Sequence, residues 1–104
     1  MRKIDRETLK AVAHWKNYKS GNTEVRVNNL PEVGRACAVL LHDNVIYMKI
    51  KCENGKEMQL FTLAGWNTQT TRNRLNSLGI TIKLKKGVPF WDNMEISAED
   101  WYMF

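Results

Sequence analysis

Apolar and polar residues follow changing rhythms along this chain of 104 residues. From Asp5 to Tyr18 the rhythm is helical. Thr8, Ala11, Val12, Trp15 and Tyr18 recur on one side, with Leu9 beside them and Lys10, Lys16 and Lys19 toward the rim or outside. Asp5 is placed to cap this helix, and Ser20-Gly21-Asn22 to end it. A period of two takes over from Thr23 to Asn28, where Val25 and Val27 alternate with Glu24 and Arg26, predicting a short half-exposed strand. Asn28-Asn29-Leu30-Pro31 breaks it, and a loop runs to Gly34.

Arg35 to His42 and Val45 to Cys52 read as a hairpin about an Asp43-Asn44 turn. That turn sets Leu41 against Ile46, Val39 against Met48 and Cys37 against Ile50. The next turn, Glu53-Asn54-Gly55-Lys56, admits two registers. A three-residue loop with a bulge at Gly55 sets Ile50 against Met58, Met48 against Leu60, Lys51 against Glu57 and Tyr47 against Phe61. This register satisfies both faces at once and is preferred. It leaves Leu40, Val45, Tyr47, Phe61 and Leu63 on a second apolar face. Either a helix covers that face, the preferred reading, or it is a binding surface.

Gly65-Trp66-Asn67 leaves the sheet. Thr68 is a cap for a second helix at about 69–78, with Thr71, Leu75 and Leu78 inward and Gly79 as the stop. Arg72 and Arg74 flank the inner stripe. Gln69, Thr70, Asn73 and Ser77 face outward. Ile80 to Lys85 alternates as a strand, Lys86-Gly87 turns it, Val88 to Trp91 pairs back, and Asp92-Asn93 leads to a short strand at Met94 to Ile96. Ser97 to Asp100 reads as a helix start, followed by a docked aromatic end, Trp101, Tyr102 and Phe104. The expected fold is α+β: an antiparallel meander of three or more strands, an N-terminal helix and the second helix, in a single domain. Whether the two helices share one sheet face or take one each stays open.

Composition narrows the class. Apolar residues make up 43% and charged residues 26%, as in ordinary globular chains and unlike disordered or collagenous ones. The longest apolar run, Ala36 to Leu41, is far too short to span a bilayer as a helix, so no membrane partner is expected. The N-terminus lacks the apolar core of a secretory signal, which predicts a cytoplasmic protein. Cys37 and Cys52 are too few for a disulfide framework and read as buried, reduced thiols.

One stretch is more specific. Gly65-Trp66-Asn67-Thr68-Gln69-Thr70-Thr71-Arg72-Asn73-Arg74-Leu75-Asn76 resembles a G-W-x-T-x-T-T-R-x-R-L-N signature of a family of small bacteriophage proteins of unknown function. Ser20 to Val25, Leu41 to Ile46, and Leu84 to Gly87 with the later Trp91 are similar to further parts of that family, so the likeness covers about residues 20–91. The aromatic C-terminal end departs from it. The resemblance implies phage origin, a place in the host cytoplasm and no known catalytic residues.

Charge is unevenly laid out. The chain carries +5 overall, yet residues 64–86 hold five basic residues and no acid, whereas residues 87–104 hold four acids and no base. The basic segment suggests a strip along a phosphate backbone: Arg72, Arg74, Lys83, Lys85 and Lys86 for phosphates, Trp66 for stacking, Gln69 and Asn73 for base edges. The competing reading is structural. The arginines then cover the sheet and pair with acids, the lysines line an exposed strand, and Trp66 packs a corner. A second function is a stoichiometric inhibitor or modulator of a host protein, such as a defence nuclease complex or RNA polymerase. It would act through Tyr47 and Phe61, or through the acidic-aromatic end with Asp92 and Trp101. A homo-oligomer through an uncovered sheet face is the third option. No enzyme is expected, since glycine-rich phosphate loops, GxSxG and HExxH are absent. No metal or cofactor is expected either. The expected register puts Cys37 and Cys52 on one face and His42 on the other, away from His14, without metal-ligand spacing.

Overall fold

Helix α1 (Lys3–Ala13) stops well short of Tyr18 in the computed structural model, which describes residues 2–104. Trp15 takes the left-handed conformation, with φ 54. Lys16 N–H donates to the Ala11 carbonyl at 2.9 Å and Trp15 N–H to the Val12 carbonyl at 3.3 Å, the paired bonds of a Schellman stop. Glycine usually holds that position, so the sequence carries no local stop signal and the expected helix overruns. The indole itself is held instead: Arg35 Cζ and Lys49 Nζ lie 4.4 and 4.2 Å from its centroid. Lys49, buried on the sheet, also donates to the Val12 carbonyl at 2.7 Å, filling an acceptor at the negative end of the helix. Asp5 is not the cap. It lies inside the first turn, and its buried carboxylate meets Arg74.

Tyr18 opens strand β1 (Tyr18–Ser20), which pairs with β2 (Thr23–Leu30). The main sheet continues through β3 (Gly34–Leu41), β4 (Asn44–Cys52) and β5 (Glu57–Phe61), all antiparallel. Strand β2 runs on to Leu30, which pairs with Gly34, so the expected break after Asn28 falls later. Gly34 is required there: its φ is 140, and a Cβ would overlap the Lys51 carbonyl of the neighbouring strand.

The β3–β4 turn uses His42 and Asp43, with φ 50 and 66, rather than Asp43-Asn44. Leu41 therefore faces Asn44. A bulge between Val39 and Leu40 then sets Val39 against Tyr47 and Cys37 against Lys49. This overturns the expected pairing of Val39 with Met48 and Cys37 with Ile50, and it puts Cys37 and Cys52 on opposite faces. Cys37 is fully buried and Cys52 half-buried; both are free thiols. The bulged β4–β5 register is as expected, with Tyr47 opposite Phe61, Met48 opposite Leu60 and Lys51 opposite Glu57.

The shifted register decides the faces. Val25, Val39, Tyr47 and Phe61 lie side by side and join Ala11 and Val12 of α1 and Leu75 of the second helix in one core. Both helices thus share a single face. The opposite face carries Ala38, Met48, Ile50, Met58 and Leu60, none of them in that core.

Helix α2 (Gln69–Ser77) follows, and its stop uses the expected glycine: Gly79 has φ 88, and Ile80 N–H reaches the Leu75 carbonyl at 3.0 Å. Strands β6 (Ile82–Lys85), β7 (Val88–Trp91) and β8 (Met94–Glu95) form a second small sheet with two-residue turns at Lys86-Gly87 and Asp92-Asn93. The expected helix start at Ser97 is a turn instead. Beyond it, β9 (Tyr102–Met103) pairs with β5, closing the edge of the main sheet. Tyr102 stacks on Phe61 at 5.5 Å, Trp91 meets Phe61 edge-on at 5.0 Å, and Phe104 meets it at 5.8 Å, so Tyr102 and Phe104 dock as expected while Trp101 stays exposed.

Burial raises the pKa of the Cys37 thiol and the Tyr47 phenol above their ordinary values of 9.0 and 10.0. The unfolded chain therefore loses these protons first as pH rises. Stability is expected to hold below pH 9 and to fall above it, with a slope of up to about 1.4 kcal/mol per pH unit for each group. Urea midpoints across that range test this, and Cys37→Ala with Tyr47→Phe should flatten the fall.

Candidate nucleic-acid interface

The segment from Gly65 to Asn76 supplies most of its own scaffolding. Thr68 caps α2 by accepting from Thr71 N–H at 3.2 Å. Thr71 and Leu75 point into the core. The Asn76 side chain accepts from Ile82 N–H at 3.1 Å, tying the end of α2 to the start of β6.

The two arginines are internal. Arg74 is 5% exposed; its Nη1 donates to Asp5 Oδ1 at 2.7 Å and its Nε to Thr23 Oγ1 at 3.1 Å. Arg72 is 9% exposed. Its Nη1 donates to the Asn67 backbone and side-chain oxygens at 3.0 and 2.6 Å, and its Nη2 to Gln69 Oε1 at 3.3 Å. Their guanidinium donors are committed to protein acceptors rather than presented to solvent. The structural reading of this pair rests on these contacts, although the acids are not those of the C-terminal end. Arg74 reaches back to the first helix, and Arg72 pairs with no acid among the described residues.

Trp66 is the exposed large apolar side chain of this segment, at 60%. The expectation of corner packing fails because Ala64 and Gly65 both take positive φ, 54 and 81, and carry the ring away from the core. The loop beneath it is nonetheless clamped. Gly65 N–H donates to the Ala98 carbonyl at 2.7 Å and Trp66 N–H to the Leu63 carbonyl at 2.8 Å. Asn67 is held by Arg72 on one side and donates to the Gly87 carbonyl at 3.3 Å on the other.

That last bond joins the Trp66 loop to the Lys86-Gly87 turn. From the turn an exposed, aromatic-basic strip runs back along the small sheet. Lys83 and Lys85 share a face with Phe90, and Lys85 Nζ lies 5.2 Å from the Phe90 ring. Glu95 pairs with Phe90, and Asp92 lines one groove with Lys83 and Lys85, so the strip is most positive at the Lys86 end beside Trp66. Gln69 and Asn73 are on the outer side of α2 but bond one another, Nε2 to Oδ1 at 2.7 Å.

Beside Trp66 opens a cleft of about 490 Å³ between the β3–β4 turn and the start of α2. Leu41, Ile46 and Leu63 floor it, Trp66 forms one wall, and His42, Asn44 and Thr70 rim it. Among the described residues, no Lys, Arg, Asp or Glu lines it.

Of the residues expected to meet a protein, Asp92 and Trp101 are exposed, the latter at 46%. Tyr47 and Phe61 are buried in the core shared with both helices, Phe61 under Trp91, Tyr102 and Phe104, so the covered-face reading holds and neither is available on an open surface. Asn67 and Phe90 were not singled out in the sequence. Phe90 follows from the two-residue turn at Lys86-Gly87, which places it opposite Lys83. Asn67 acts through partners five and 20 residues away, for which the local pattern holds no signal. Among the described residues, no group of three or more His, Cys, Asp or Glu is placed to hold a metal ion, and no helix is long and apolar enough to cross a membrane.

Asn67→Ala should release both clamps, cost about 1–3 kcal/mol, and speed amide hydrogen exchange at residues 65–67 and 86–87. Unchanged exchange there would contradict the clamp.

Comparison with known proteins places the chain. The family model described as Kyanoviridae Gp96 protein matches residues 1–103, and the chain belongs to that phage family. The match takes in the first helix and the aromatic end, beyond the stretch noted from sequence. No curated protein and no solved structure matches the chain.

Proposed function

We propose that this member of a phage protein family is an accessory protein that acts by stoichiometric binding, and that it binds nucleic acid along the strip from Trp66 through Lys86, Lys85 and Lys83 to Phe90. The observation that carries the reading is Trp66: a large indole held in solvent on a clamped loop, bonded through Asn67 to a lysine-bearing turn. Exposing an indole forgoes burial energy, and clamping the loop beneath it removes the ordering cost of stacking a base. The lysines supply phosphate contacts without sequence preference. Gln69 and Asn73, on the neighbouring helix, would exchange their mutual bond for polar contacts to bases. Arg72 and Arg74 support the site from within.

With about three phosphates neutralised, the logarithm of affinity for single strands should fall against the logarithm of salt with a slope near −2. Fluorescence anisotropy with labelled single-stranded and duplex DNA and RNA measures this directly. Trp66→Ala should weaken binding about tenfold or more, and charge reversal at Lys85 and Lys86 should flatten the slope. Binding that is absent near physiological salt, or indifferent to Trp66, would sink the reading.

A second reading has its own observation. Trp101, Met103 and Phe104 are 46, 63 and 44% exposed near the acids Asp92, Glu99 and Asp100, a combination suited to a basic host protein. A complex recovered from host lysate that survives nuclease, and is lost with Trp101→Ala, would favour it.

A further inference from the structure

The cleft beside Trp66 carries a sharper assignment, which rests on the nucleic-acid reading. Its lining is chemically divided. The floor is aliphatic and the wall is an indole, so whatever enters presents apolar faces. The rim offers an imidazole, an amide and hydroxyls, so the entering group has polar edges. With no Lys, Arg, Asp or Glu among the lining residues described, the group that enters needs no charge of its own. Positive charge lies outside, on the Lys86 turn that Asn67 ties to the Trp66 loop. A neutral, flat, polar-edged head joined to an anionic tail is the chemistry of a nucleotide. At about 490 Å³ the cleft has the size of a ligand site and room for a base with its sugar.

We infer that this cleft receives one unpaired nucleobase of a single strand, stacked against Trp66, while the adjoining phosphates run toward Lys86 and Lys85. A base paired within a duplex has its faces covered by its neighbours and cannot enter without being extruded. The site therefore favours single strands, loops or distorted duplex over regular duplex. The rim is not free to rearrange: His42 N–H donates to the Asn22 carbonyl at 2.8 Å, and Asn44 Nδ2 donates to the His42 carbonyl at 3.1 Å. The Asn44 oxygen and the Thr70 hydroxyl remain for base edges.

The test compares three labelled ligands on the unmodified protein, a short oligothymidylate, the same length of abasic sugar-phosphate strand and a duplex, with thymidine monophosphate as an unlabelled competitor. The intact strand should bind roughly 5- to 100-fold more tightly than the abasic strand and the duplex. Thr70→Phe, which fills the cleft from the exposed side of α2, should abolish that difference and leave abasic binding and thermal stability unchanged. Equal affinity for intact and abasic strands would overturn the inference while leaving the basic strip standing. Failure of all three ligands to bind would instead overturn the nucleic-acid reading. Thymidine monophosphate binding as tightly as the strand would move the ligand from a strand to a free nucleotide, and would overturn the assignment to a strand.

Discussion

The buried ion pair between Arg74 and Asp5 joins parts of the chain 69 residues apart, and the rest of the fold is arranged around it. The two side chains are 6 and 10% exposed, so neither charge keeps its water. Such a pair adds little net stability over an apolar replacement, but losing one partner strands the other in a poor solvent. The constraint is therefore on arrangement: α1 and α2 must lie on the same face of the sheet, in one relative position. Thr23 receives a second bond from the same guanidinium and donates in turn to Asn22 Oδ1 at 3.1 Å. Asn22 Nδ2 lies 3.2 Å from the His42 ring at the rim of the cleft. A continuous polar chain thus runs from the first helix, through the second, to two hairpin turns.

This division of labour changes what the basic segment means. Two of its five charges are spent inside the molecule, one on Asp5 and one on the Asn67 loop. The positive surface this segment offers is smaller than the sequence suggests, and it is confined to one hairpin. What the arginines do instead is hold the frame on which Trp66 stands. The +5 charge of the whole chain is accordingly a poor guide to where an anion would bind.

Much of the fold was legible where the signal is local. The second helix announces itself through Thr68 and Gly79, and the β4–β5 register through the bulge glycine Gly55 and the match of Lys51 to Glu57. The turns at Lys86-Gly87 and Asp92-Asn93 were equally readable. Illegible features depend on partners distant in sequence. Trp15 ends a helix because Arg35 and Lys49 hold its ring. Asp5 looks like a cap until Arg74 claims it. His42 takes a turn position that Asp43-Asn44 advertises better, and the accompanying bulge puts Tyr47 and Phe61 on the same face as Val39 and Cys37, in the covered core that is the preferred reading of their face. The same limit applies to the site. Trp66 and the lysines stood out by residue type and spacing, but whether Arg72 and Arg74 face inward could not be read from a helix that places them on opposite sides of its stripe.

Arg74 belongs to the scaffold and not to the binding surface. A double-mutant cycle with Asp5→Leu and Arg74→Met, followed by urea denaturation and by oligonucleotide binding, tests this most directly. Each single change should cost about 3–5 kcal/mol, and the double variant should recover much of that loss. Nucleic-acid affinity of the recovered double variant should match the unmodified protein. Additive, small losses of stability together with lost binding in Arg74→Met would contradict the account, and would return Arg74 to the surface as a phosphate ligand.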